Sequence, residues 1–192
     1  MSIENREKNV AYSRTFRIIR SLYCLSDKAV LDVGCGFGEY LRFFGSGSMG
    51  ITTTAAEIEY AKNHNLTVLF GNAELLGDVA SQREFDAVWA NNLFEHLLSP
   101  HAFLMKLKKL SHGRTILILG VPVVPKIVSL LSLGRFRGAL ATNHINFFTY
   151  VTLRLTAERA GWTVAAARPF SLKAPSWTGW LHRLLRTSMS SP

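Results

Sequence analysis

Val30-Leu31-Asp32-Val33-Gly34-Cys35-Gly36-Phe37-Gly38 is the stretch on which the reading of this chain turns. A short apolar run leads straight into three glycines at alternate positions, the pattern of a buried strand that stops in a tight turn. Glycine lets backbone approach a ligand with no Cβ in the way. In an open α/β sheet, ligands sit beyond the carboxyl ends of the strands, where the strand order reverses. Asp32 narrows the ligand class. A carboxylate two residues before the first glycine repels a pyrophosphate but suits a ligand that carries an ammonium and a sulfonium.

Working outward, residues 4–24 pattern as one helix, with Val10, Phe16, Ile19, Leu22 and Tyr23 on a common face. After the glycine turn a helix is expected over residues 39–44, a strand over 49–53 and a helix over 55–63 capped by Thr54. A strand at 67–70, a helix at 73–81 and a strand at 85–90 follow. Ser99-Pro100 opens a helix to Leu110. The remaining elements are a strand at 115–121, a helix at 150–160 ended by Gly161, and a strand at 162–167. Short apolar strands alternating with helices predict a doubly wound, mostly parallel sheet with helices on both faces.

The 192 residues carry 48% hydrophobic content, which suits one domain over residues 29–170, with an N-terminal helix in 1–28 and an amphipathic tail in 171–192. Cys24 and Cys35 make neither a disulfide framework nor a zinc site. The charged first twenty residues leave no room for a signal-peptide core, and the apolar tract 116–133 is broken by Gly120, Pro122, Pro125 and Lys126. A cytoplasmic location is expected. The net charge of +9 is uneven: residues 29–101 hold three Lys/Arg against nine Asp/Glu, and residues 102–192 hold thirteen against one. In the tail, Trp177, Trp180, Leu181, Leu184 and Leu185 recur at helical spacing beside His182, Arg183 and Arg186. This pattern predicts peripheral membrane association through the basic C-terminal half, with a helix packed on its own core or on a dimer partner as the alternative. Nucleic acid is not expected as a partner, because the charge has no RNA-recognition motif beside it.

Further signposts follow the glycine turn in order: Phe70-Gly71-Asn72-Ala73-Glu74, then Phe85-Asp86-Ala87-Val88 with Asn91-Asn92-Leu93-Phe94-Glu95-His96-Leu97, then His144-Ile145-Asn146-Phe147-Phe148-Thr149 and Ala160-Gly161-Trp162. With the glycine turn, these make residues 25–169 resemble the class I S-adenosylmethionine-dependent methyltransferases, in particular small ones of quinone, lipid and cell-surface glycan biosynthesis. The resemblance implies S-adenosyl-L-methionine as cofactor. Asp32 would organise its amino end, Gly34 and Gly36 would cradle its methionine part, Asn72 would take the adenine amino group with Ala73 beside the ring, and Asn91 would join the cofactor site.

The chain also departs from that pattern. Thr52 stands where the second strand normally ends in an acid that takes both ribose hydroxyls, and one hydroxyl cannot replace a bidentate carboxylate. Glu57, five residues on, can supply the missing acceptor or can simply favour the start of its helix. The last of the family's seven strands has no counterpart after residue 167, which predicts a six-stranded sheet or a shortened chain.

Methyl transfer to a hydroxyl needs positioning and removal of a proton. Glu95, His96 and His144 are the candidates. In two related groups an acid-x-x-Glu-His segment binds a divalent ion, but here Asn92 replaces the first acid, so no metal is assigned. The reading is O-methylation of a small-molecule, lipid-linked or glycan acceptor. The alternatives are RNA methylation or a non-catalytic, cofactor-binding or partner-docking protein.

Overall fold

The computed structural model describes residues 3–76, 84–123 and 143–167. Its centre is a five-stranded sheet: β1 Val30–Val33, β2 Met49–Thr52, β3 Val68–Phe70, β4 Ala87–Asn91 and β5 Ile116–Gly120, in the order β3-β2-β1-β4-β5. Every pairing is parallel. The chain builds outward through β2 and β3, then returns to lay β4 on the other flank of β1. The order therefore reverses between β1 and β4, and a crevice opens at their carboxyl ends.

Alternation along these strands accounts for the two-sided packing. Leu31, Val33, Ile51 and Val88 turn to one face, with Phe103, Leu104 and Leu107 of α4 (Pro100–Leu110) and Ala157 of α5 (Tyr150–Arg159). Val30, Ala87 and Trp89 turn to the other, with Phe16 of α2 (Arg14–Leu22) and Ala61 of α3 (Ala55–Asn63). Ser99 caps α4 as expected, accepting the Ala102 N–H at 3.4 Å with Pro100 in the first turn. Thr149 and Thr152 make a reciprocal capping box on α5.

Five expectations need correction. The N-terminal helix is two: α1 (Ile3–Tyr12) stops at Ser13, whose hydroxyl accepts the Phe16 N–H at 3.2 Å and starts α2 at a new angle. The helix expected over 39–44 is a single 3-10 turn, Leu41–Phe43. Its aromatic neighbours Tyr40 and Phe44 pack edge-on or tilted against Phe16 and Trp89, and Gly45 N–H donates to Leu25 O and Lys28 O at 3.0 Å, which closes the segment early. Thr54 precedes α3 but makes no side-chain cap. Residues 162–167 form no strand. The Trp162 indole donates to Leu104 O at 3.0 Å and lies under Lys108, so the segment docks on α4 instead of extending the sheet. Five strands, not six, stand among the described residues. Of the helix expected at 73–81, Ala73–Leu75 is a 3-10 turn. The rest of it, most of the connection at 122–146 and the amphipathic tail at 171–192 lie outside the described residues.

Candidate active site

At the carboxyl end of β1, Asp32 is 2% exposed and its Oδ2 has no hydrogen-bond partner. Burial, and then the nearby Glu39 carboxylate, push its carboxyl well above the usual range. Gly34 and Gly36 follow with φ of +75° and +57°, the left-handed region that a side chain disfavours. The Gly34 and Cys35 amides donate to Ile51 O at 2.9 and 3.1 Å, so the turn is tied to β2. The Cys35 thiol is pushed up by its burial and by Asp32, Glu57 and Glu39. Three carboxylates therefore act on one turn, a field that favours a cationic ligand.

The hydroxyl of Thr52 donates to Glu57 Oε2 and accepts the Thr54 N–H at 3.2 Å. Thr52 and Glu57 thus form one hydrogen-bonded unit at the end of β2. Asn72 Oδ1 accepts the Glu74 N–H at 2.8 Å and caps the turn that buries Ala73, and an amide oxygen can accept one further donor. Asn91 Nδ2 donates to the Tyr40 hydroxyl at 3.1 Å, and burial with Asp32 and Glu39 nearby pushes Tyr40 up to about 12.

The second group of candidates meets beyond β4. Glu95 is 1% exposed, and neither carboxylate oxygen has a hydrogen-bond partner. His96 Nε2 and His144 Nε2 each lie 3.9 Å from its Oε1, and the two rings meet edge to face at 4.9 Å. Burial raises the Glu95 carboxyl; its own backbone N–H and the two imidazoles pull the other way. His144 is 48 residues from His96 in sequence, yet backbone bonds fix it there: the Ile145 and Asn146 amides both donate to Glu95 O at 3.0 Å. His96 Nδ1 lies 3.0 Å from Asn143 O. A carbonyl only accepts, so Nδ1 donates there, and in the neutral ring the lone pair sits on Nε2. One ligand atom from each of the three side chains falls within 4.8 Å of the others, a spacing that admits a divalent ion. Sequence reasoning missed Glu39, Tyr40 and Arg6. The acid directly after Gly38, in a run rich in aromatic residues, was the local signal.

A family model described as a methyltransferase domain matches residues 6–167. The chain belongs to the S-adenosylmethionine-dependent methyltransferase family. Among curated relatives it is 30% identical over 106 residues to a ubiquinone biosynthesis O-methyltransferase of Rhodopseudomonas palustris, a match covering 52% of this chain and 42% of that protein. The chain thus matches less than half the length of that relative. Two solved structures share the fold. One is a Haloferax volcanii methyltransferase in complex with a methyltransferase activator (TM-score 0.66, 16% identity, 92% of this chain and 82% of the other). The other is magnesium protoporphyrin IX methyltransferase of Synechocystis with bound S-adenosylhomocysteine (TM-score 0.62, 18% identity, 89% and 82%). S-adenosylmethionine is the cofactor of the family. The unpaired Asp32 oxygen at a carboxylate-lined glycine turn fits a ligand with a sulfonium and an ammonium.

Proposed function

We propose that this methyltransferase moves a methyl group to a hydroxyl of a small-molecule, lipid-linked or glycan acceptor, with His96 as the base. When bound, the cofactor supplies an electrophilic methyl on a cationic sulfur; the protein must bring the acceptor in line and take its proton. The observation that carries the reading is the buried Glu95 carboxylate facing two imidazole Nε2 atoms. The His96 side chain is 33% exposed against 10% for His144, so His96 is the imidazole an acceptor can reach. Glu95 then stabilises the imidazolium that forms, and His144 shares its charge. The basic half, residues 102–192, favours an acceptor of anionic character and supports peripheral contact with a membrane. No helix among the described residues is long and apolar enough to cross one.

His96→Ala should lower kcat by about 10²–10⁴-fold while leaving cofactor affinity unchanged. The assay is methyl transfer from labelled cofactor to a panel of phenols and catechols bearing polyprenyl tails, with hydroxylated glycans alongside. A His96→Ala enzyme of undiminished rate would remove the base role, and a wild type that labels amines but no hydroxyl would remove O-methylation.

The three-donor geometry supports a second reading, in which Glu95, His96 and His144 hold a divalent ion. Such an ion would give the unpartnered Glu95 carboxylate a cation and would lower the pKa of an acceptor hydroxyl. Calorimetry with Mg²⁺, Mn²⁺ and Zn²⁺ on wild type and Glu95→Gln separates the two. Stoichiometric binding that the substitution abolishes favours the metal; no binding by the wild type leaves the imidazole base.

Thr52 and Glu57 together are assigned the ribose. Glu57→Ala should weaken S-adenosylhomocysteine binding roughly tenfold or more, the value of a hydrogen bond to a charged group. Unchanged affinity in the same calorimeter would leave Glu57 as a partner of Thr52 alone.

A further inference from the structure

Glu39 is buried directly after the glycine turn, and its Oε2 lies over Gly36: a Cβ added there would come within 3.1 Å of it. It thus stands beside the backbone assigned to the cofactor's methionine part, close enough to Asp32 for the two carboxylates to repel. Among the described residues its one ion-pair partner is Arg6 of α1, with Nη1 at 3.5 Å from Oε1. That contact is long, and the Arg6 side chain is 44% exposed. Arg6 has a second hold, its guanidinium over the Phe37 ring at 5.6 Å. The next residue, Glu7, ties α1 down separately: it accepts from Arg42 Nε at 2.9 Å and from the Tyr60 hydroxyl at 3.2 Å. Apart from Val10, α1 buries no residue, so these polar contacts set where it lies.

The amino-acid end of S-adenosylmethionine is a zwitterion, an ammonium and a carboxylate on one carbon. We propose that Glu39 and Arg6 are an exchangeable ion pair that reads this end: on binding, Glu39 takes the ammonium together with Asp32, and Arg6 takes the carboxylate. The exchange trades one long pair for two pairings, and it relieves the Asp32–Glu39 repulsion by placing a cation between them. Glu7 keeps α1 in place while Arg6 changes partner. This inference rests on the cofactor's methionine end lying at the glycine turn.

Two ligands test it by calorimetry on the full chain. S-adenosylhomocysteine has the ammonium and carboxylate; 5′-methylthioadenosine has the same nucleoside and a thioether but neither charge. Glu39→Gln and Arg6→Met should each weaken S-adenosylhomocysteine roughly tenfold or more and leave methylthioadenosine within about twofold. The second ligand also reports on folding, because a variant that binds it normally has an intact nucleoside site. Parallel losses for both ligands would mean a structural role and overturn the proposal, as would unchanged affinity for S-adenosylhomocysteine. A wild type that binds methylthioadenosine but gains nothing from the amino-acid end overturns it too, while leaving the nucleoside site standing. A wild type that binds neither ligand overturns the underlying cofactor site as well.

Discussion

Asp32→Asn should weaken S-adenosylmethionine binding by about 30–100-fold, roughly 2–3 kcal/mol for a charged hydrogen bond, while the ligand-free protein melts no lower than wild type. The two halves of that result have one cause. Asp32 is buried with an unpaired oxygen and a carboxylate neighbour, so its ionised form is disfavoured until a cation arrives. The substitution keeps the shape and removes the charge, so what is lost is the attraction to the ammonium and sulfonium. Burial and the Glu39 carboxylate favour the protonated form in the free protein, and a bound cation favours the ionised one. Cofactor binding by the wild type should therefore release a proton and tighten as pH rises through the raised value. Stability runs the other way: the raised group contributes most below the ordinary carboxylate range, and that contribution is lost as pH rises through its folded value. The melting temperature of Asp32→Asn relative to wild type should thus increase with pH. Calorimetry in buffers of different ionisation enthalpy reads the proton directly. Equal affinity in the two proteins, or binding with no proton released by wild type, would remove Asp32 from cofactor recognition.

The parts of the molecule that sequence predicts well are those whose residues are fixed by burial on both sides. Val30 to Val33 is apolar apart from Asp32 and becomes the central strand; the one residue that breaks the pattern is the one proposed to meet the cofactor. Helix α4, opened by Ser99-Pro100, falls within the expected limits, as does α3 without the cap expected of Thr54. Prediction fails where tertiary contacts overrule local pattern. Residues 39–44 have helical composition, but fourteen positions from Gly38 to Thr52 are too few for a full helix and a return crossing, and the aromatic side chains collapse onto Phe16 and Trp89. Trp162 begins an apolar run that reads as a strand, yet its indole finds Leu104 O on α4. The site divides similarly. Glu95, His96 and His144 are legible because their motifs carry them, although only the structure brings Nε2 of both histidines to one oxygen. Arg6 and Glu39 are 33 positions apart with no motif joining them, and their pairing follows from where α1 lands.

The largest stability effect should come from Phe94→Ala, at about 3–5 kcal/mol, a large share of the roughly 5–15 kcal/mol that holds a domain folded. Phe94 is fully buried; its ring stacks on Phe148 with centroids 5.0 Å apart and an interplanar angle of 29°, and lies 6.3 Å from Phe103 of α4. Truncation forfeits the transfer energy of a whole ring and leaves a cavity that Phe103 and Phe148 cannot both move to fill. Urea unfolding followed by circular dichroism should show a lower midpoint with an unchanged slope. The position has a second consequence. Phe94 immediately precedes Glu95, and Phe148 lies four residues after His144, so this stack joins the two segments that bring the histidines to the carboxylate. Cofactor binding at β1 should survive in the folded variant at low temperature, because β1 and its glycine turn are held by their own backbone bonds to β2. The Glu95–His96–His144 arrangement should loosen, lowering transfer rate more than cofactor affinity. A midpoint shift equivalent to less than about 1 kcal/mol would show that the surrounding rings collapse into the gap, contrary to the close packing expected of a protein interior.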